Sequence, residues 1–323
     1  MNKKFTNALN RVEQSCPPIW MMRQAGRYQR SYMELKETYN FEQMCKLPQI
    51  AAKTAMLPIE QFDFDVAILF SDILWHIEGL GIPLKFDPSP KFEFNLSEEN
   101  YRDHMCLESA MEHLDFQQKA IEATRHKLHA SKSLIGFVGG PWSVLNYALG
   151  DNKVSVDFKT MYLTEVIMPL MARSIRAQKA AGAEAVMVLD SGLHNMSKPY
   201  FENTYLPIIE QLSIIGGVGY YGRGIPNGSL PKIKKMEFAG IGIDSTEDLP
   251  KALKTYTNGF VQGNFNEKHM LLEPKLFRYE LDKWLEELED VDTTGWVCGL
   301  GHGIIKETNE RNVAEFIDKI RTR

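Results

Sequence analysis

Long apolar runs are missing from this 323-residue chain, and none approaches the ~18–20 residues that cross a bilayer. No membrane span is therefore expected. Cysteine is scarce: Cys16, Cys45, Cys106 and Cys298 are widely spaced and form no CxxC pair. That pattern excludes a disulfide framework and fits a reducing cytosol. A basic excess is absent as well. The 37 Lys and Arg residues against 42 Asp and Glu give a net charge of −5, with no Lys/Arg block. A general nucleic-acid binder needs such a block or stripe, so nucleic acid is not an expected partner. An anionic small molecule stays open as a substrate if a few placed arginines make its site locally positive. No internal repeat, Walker loop, H-E-x-x-H or G-x-S-x-G is found. The opening MNKKFTNALNRVEQS has lysines but no apolar stretch, so a cytoplasmic location is expected.

What is present is the composition of a folded chain. At 44% hydrophobic and 24% charged it can bury a sizeable core, and disorder as the main state is excluded. Short β-branched runs recur, each followed by a longer helical stretch. The runs are Pro18–Met22, Val66–Phe70, Leu134–Val138, Ala185–Leu189, Ile214–Tyr220, Phe238–Ile243, Gly259–Gln262 and Trp296–Leu300. Helical stretches cover Met33–Leu47, Asn100–His129, Phe158–Ala181, Glu273–Glu289 and Glu310–Arg321. In the last, Val313, Phe316, Ile317 and Ile320 share one face. Eight strand candidates in βα alternation predict an α/β fold, a single (β/α)₈ TIM-type barrel over residues 1–323. Ile82–Phe94 reads as an inserted hairpin, and extra helices use the remaining length. A doubly wound open sheet is the rival, since alternation alone does not separate it from a closed one.

In a barrel, chemistry sits where the strands end. Those ends carry Arg23-Gln24-Ala25-Gly26-Arg27, Ser71-Asp72, Gly139-Gly140 with Tyr147 beyond, Asp190-Ser191, Asp244 and Gly301-His302-Gly303. Arg23 and Arg27 are four apart, with Gly26 between them to permit an unusual backbone. Both guanidinium groups could face one cavity and grip a carboxylate or phosphate; equally, they could be solvated loop arginines. Asp72 closes an apolar strand. It is either a helix cap or a site carboxylate, and Ser71 beside it could do the capping. His302 has no second His or Cys at metal-ligand spacing, and neither do His126 and His129, so no metal site is expected. Gly217–Gly222 spells G-x-G-x-x-G, but Gly224, Pro226, Gly228 and Pro231 follow where a helix should open, which argues against a dinucleotide.

The string Pro18-Ile-Trp-Met-Met-Arg-Gln-Ala-Gly-Arg-Tyr28 resembles the signature of the uroporphyrinogen decarboxylases. Phe70–Leu74, Gly136–Tyr147, Asp190-Ser191, Gln262–Asn264 and Gly301–Gly303 resemble other parts of that family in the same order, over essentially the whole chain. The resemblance implies a homodimeric barrel without metal or organic cofactor. It implies stepwise decarboxylation of the four acetate arms of uroporphyrinogen III to coproporphyrinogen III. Arg23, Arg27, Asp72 and Tyr147 would then be catalytic. Arg23, Gln24, Ala25, Gly26, Arg27, Asp72, Tyr147, Ser191 and His302 would contact the substrate. Departures from the family pattern lie at Tyr220–Ile233, at Phe265-Asn266-Glu267 and at Lys306. Two other readings are a corrinoid- or methionine-type methyltransferase on the related barrel, which would need a His/Cys zinc site, and a non-catalytic porphyrinogen binder, which would be expected to lose Asp72 or the arginines.

Overall fold

The computed structural model describes residues 1–323. Its main sheet has seven strands: β1 (Val66–Ile68), β4 (Ser133–Gly139), β5 (Ala185–Asp190), β6 (Val218–Gly222), β7 (Gly240–Gly242), β8 (Phe260–Phe265) and β9 (Trp296–Leu300). Each pairs in parallel with its neighbours in that order, and helices fill the crossovers. The result is a TIM-type α/β barrel. β4, β8 and β9 are buried along their whole length, as expected of strands that face a core on one side and helices on the other.

The eighth expected strand is the exception. Pro18–Met22 lies in the seam between β9 and β1 but forms only a single bridge, Ile19 to Cys298. Trp20 N donates to Cys298 O (3.0 Å), and Cys298 N to Pro18 O (2.9 Å). On the other side Asp65 N donates to Ile19 O (3.2 Å). The physical reason for the lost ladder is chemical. Pro18 has no N–H, and the Ile19 N–H is taken by the Asp65 carboxylate at 2.9 Å instead of a strand carbonyl. Asp65 is buried, and its other oxygen accepts from Asn2 Nδ2 (3.2 Å). One side chain thus ties the seam to the N-terminal helix.

The inserted hairpin forms as expected, with β2 (Leu84–Phe86) antiparallel to β3 (Pro90–Phe92) and Leu84 opposite Phe92. Phe86 anchors it against Phe41 and Trp75, with ring centroids 4.8 and 5.0 Å apart. Several long helical stretches break. Met33–Leu47 becomes Arg30–Thr38 and Phe41–Lys46, because Asn40 builds a capping box with Gln43. Phe158–Ala181 contains a π-turn over Leu163–Ile167 just before Pro169, and Phe201–Tyr205 is another just before Pro207. In each case proline withholds the N–H that would continue the α-pattern. Glu310–Arg321 forms as read, with its four apolar residues buried. No helix is long and apolar enough to cross a membrane.

Asp65→Ala would leave the Ile19 N–H without its acceptor and the Asn2 amide with only Ser131 O. We expect a loss of roughly 3 kcal/mol, as for buried hydrogen bonds to a charged group. Urea unfolding measures it; a loss below about 1 kcal/mol would mean that the seam closes without Asp65.

Candidate active site

Arg23 leaves the seam in a left-handed conformation, with φ of 60°. This is costly for a side chain with a Cβ and persists only where the surroundings enforce it. The unusual backbone is therefore at Arg23 itself and not, as the sequence suggested, at Gly26. Gly303 is what makes room: a Cβ there would stand 2.6 Å from Arg23 Cδ. The exposed guanidinium lies across the β9 loop, where its charge reaches Asp72, Tyr221 and His302.

Asp72 follows β1. Ser71 does not do the capping open to it. Its hydroxyl accepts from Gln117 Nε2 (3.0 Å), while Asp72 Oδ1 takes the Leu74 N–H (2.9 Å). Asp72 caps the turn with one oxygen, and its second oxygen has no side-chain donor. Burial pushes its carboxyl above the usual carboxylate range, against the pull of the Leu74 and Ile73 amides and of Arg23.

His302 sits between Gly301 and Gly303, partly buried. Tyr221 of β6 reaches it: Tyr221 Oη is 3.1 Å from His302 Nδ1 and donates to Gly301 O at 2.9 Å. Burial first, then Arg223 and Arg23, bring the imidazole down to about 4, opposed by Asp244.

On the far side of the mouth, Ser191 and Tyr147 follow β5 and β4. They are placed by Asp190, which is fully buried at the end of β5. Its carboxylate accepts from Ser143 N (3.0 Å), Ser143 Oγ (2.6 Å), Tyr220 Oη (3.2 Å) and Tyr205 Oη. Ser143 Oγ in turn accepts from Gly192 N (3.1 Å). The Ser191 loop is thereby pinned to helix Pro141–Leu149, which presents Tyr147 in an exposed position. Gly140 permits this approach, since a Cβ there would lie 2.2 Å from Asp190 Cβ. Desolvation pushes the Asp190 carboxyl up, and its four donors pull it back.

The structure therefore brings Arg23, Asp72 and His302 together and sets Ser191 and Tyr147 on the neighbouring strand ends. One expectation is corrected. Gln24 is fully buried, its Nε2 donating to Val66 O (2.9 Å) and its Oε1 accepting from Met21 N (3.3 Å). It braces the loop and offers a ligand no side-chain group. Arg27 is exposed, and its charge acts on Tyr32. Ala25 and Gly26 are partly buried loop residues. Arg223 is the candidate that sequence reasoning missed. It follows β6 directly, is exposed, and acts on both Tyr221 and His302. Its signal was its place: it is the first residue after a strand, as Ser191 is.

A parallel barrel with arginines, a partly buried aspartate and a neutral histidine at the C-terminal mouth defines a barrel enzyme suited to an anionic ligand. Comparison with known proteins makes this specific. The family model described as uroporphyrinogen decarboxylase (URO-D) matches residues 1–323. A uroporphyrinogen decarboxylase of Orientia tsutsugamushi (strain Ikeda) is 33% identical, over 98% of this chain and 97% of its own. That of Synechococcus sp. (strain JA-3-3Ab) is 31% identical, over 94% and 89%. Among solved structures, a methyltransferase from Methanosarcina mazei superposes with a TM-score of 0.81 at 16% identity, over 99% of this chain and 98% of that one. This last likeness concerns the fold alone. The chain belongs to the uroporphyrinogen decarboxylase family, a family of carboxy-lyases.

The sign of one pH effect follows from His302. Its folded value near 4 lies below the ordinary value near 6.5, so the unfolded chain holds more protons between them. The stability this confers is complete above about pH 6.5 and is lost as pH falls through about 4. At pH 4.5 the loss amounts to roughly 2–3 kcal/mol. His302→Gln should lose correspondingly less stability between pH 7 and pH 4.5 in urea melts. Equal losses in the two proteins would show that the histidine is not held neutral.

Proposed function

We propose that this protein removes the four acetate carboxyl groups of uroporphyrinogen III, one after another, to give coproporphyrinogen III. The observation that carries the reading is Asp72: a partly buried carboxylate with one oxygen fixed by backbone, the other free of side-chain donors, and Arg23 near without an ion pair between them.

Each cycle needs an electron sink. A pyrrole protonated at ring carbon is a cation and serves as its own. The bond between the methylene and the carboxylate breaks, CO₂ leaves, and the electron pair neutralises the ring. The exocyclic carbon then takes a proton to become methyl, and the ring carbon returns its own. The net change is one proton taken up and one CO₂ lost per arm. The free Asp72 oxygen would accept the pyrrole N–H groups and stabilise the ring cation through preorganised charge. The cation in turn favours the ionised Asp72 that burial disfavours, so the interaction is strongest when the ring is charged. Arg23, the Gly26 loop with Arg27, Tyr147, Ser191 and His302 would hold the carboxylate arms. Arg23 is the arginine that stands with Asp72 and His302, and we assign it the larger share. The whole chain acts as one catalytic unit, a cytoplasmic homodimer in our reading, with the ring itself in the part a cofactor would play.

Asp72→Asn keeps the volume and a capping oxygen but removes the charge. It should melt near the wild-type temperature and lose about 10²–10³ in kcat. The assay is anaerobic turnover of uroporphyrinogen III with chromatography of the oxidised products; a stable variant within about threefold of wild type would sink the electrostatic role.

Arg23→Ala should weaken substrate binding by about 1.5–3 kcal/mol and let partly decarboxylated porphyrinogens accumulate, with a smaller effect for Arg27→Ala. Activity should persist after chelation and dialysis. Loss of turnover restored by zinc would instead favour methyl-transfer chemistry.

A further inference from the structure

Tyr221 and His302 are joined by a hydrogen bond whose direction is decided by a third group. The phenol has one proton and two neighbours, Gly301 O at 2.9 Å and His302 Nδ1 at 3.1 Å. Gly301 is buried, and Tyr221 Oη is the donor to its carbonyl. Turning the phenol proton to the imidazole would leave that carbonyl unpaired, which buried carbonyls avoid. The proton therefore stays on Gly301 O, and the phenol oxygen faces Nδ1 as an acceptor. The rings lie nearly parallel, 17° apart, so the contact also fixes the plane of the imidazole.

We propose that Tyr221 is a positioning residue that holds His302 as the Nδ1–H tautomer, leaving Nε2 as a lone-pair acceptor, so that a substrate carboxylate is gripped by His302 only together with a proton. The step is a simple one. Nε2 takes one proton from solvent, the ring becomes imidazolium, and the new Nε2–H donates to the arriving carboxylate. The charged and titratable groups facing the imidazole are Arg23 from the seam loop, Arg223 from the end of β6, Asp244 from the end of β7, and Tyr221 itself. Burial and the two arginines keep the free ring neutral at physiological pH, against Asp244. Burial also keeps the phenol protonated, with its pKa raised. An anionic arm arriving between these cations tips the balance toward imidazolium.

The proposal rests on the reading that a carboxylate arm of the substrate reaches His302, but its first test does not. In ¹⁵N spectra of the ligand-free, histidine-labelled protein, His302 is assigned by the signals lost in His302→Gln. The wild type should show a protonated Nδ1 and an imine-type Nε2, and Tyr221→Phe should lose that preference. A wild-type ring carrying its proton on Nε2, or an unchanged tautomer in Tyr221→Phe, would overturn the proposal even if turnover is normal.

The second test is the pH dependence of KM for uroporphyrinogen III. Between pH 6 and 8 the arms stay ionised, so the wild-type KM should rise close to tenfold per pH unit as the required proton becomes scarce. In Tyr221→Phe the ring is free to adopt the Nε2–H form and donate while neutral, and the profile should flatten. Parallel profiles would also overturn it, since a purely structural tyrosine would change the height of the curve and not its slope. If Tyr221→Phe does not fold, the wild-type tautomer and the wild-type slope decide alone.

Discussion

Asp65 stands where the barrel would otherwise fail to close. β1 and β9 are brought together by a segment that begins with two prolines, and Pro18 has no N–H to give. The Asp65 carboxylate takes the Ile19 N–H, its own N–H reaches Ile19 O, and Cys298 completes the other side. A side chain thus substitutes for a rung of the ladder. The segment so held delivers Arg23 at φ 60° against Gly303, an arrangement that a free loop would not keep. Gln24 adds to the hold by filling two backbone valences, one on Met21 and one on Val66. The position of the arginine at the mouth is a consequence of how the seam closes.

From that seam the electrostatics of the mouth follow. Arg23 and Arg223 make a locally positive site in a chain whose net charge is −5. They depress the proton affinity of His302, and Arg23 partly offsets the burial of Asp72. For the proposed polyanionic substrate with a transiently cationic centre, the arginines would face the arms and Asp72 the ring. Water is a poor substitute, because it must reorient as charge develops, whereas these groups are already in place.

Much of this was legible in the sequence, and what was not has definable causes. The hairpin, the C-terminal helix and β9 were read within a residue or two, because alternation and helical periodicity report burial directly. The seam was misread as a strand because apolar composition does not reveal that a carboxylate replaces a backbone acceptor. Asp72 caps the turn that Ser71 could also have capped, because either side chain can do so and the hydrogen bond from Gln117 engages the Ser71 hydroxyl. Arg223 was passed over for a simpler reason. The run was ended at Tyr220, since Tyr-Gly-Arg-Gly reads as a turn, whereas pairing of Gly222 with Asp190 carries β6 two residues further. A shift of two residues is enough to hide the side chain at a strand end. Gln24 shows the reverse error: a polar residue in a loop motif reads as ligand-facing, but its amide is used up by backbone.

The same scaffold superposes on a methyltransferase at 16% identity, so what the barrel does is decided at its mouth and not by its strands. The end of β6 has a share in that decision. Tyr220 and Tyr221 are consecutive, and consecutive strand residues face opposite ways. Tyr220 stacks on Phe238 and donates to Asp190, which pins the Ser191 loop and, through Ser143, the helix that carries Tyr147. Tyr221 turns the other way and holds His302 and Gly301. Two phenols on one strand therefore brace both walls of the cleft, and Arg223 follows them into the mouth. With smaller residues at these two positions, the barrel could still form from its apolar strands. Asp190 would be left with one donor fewer in a fully buried site, and His302 would be free to choose its tautomer. The end of β6 is thus a structural support of the mouth, through hydrogen bonds that act by way of other residues.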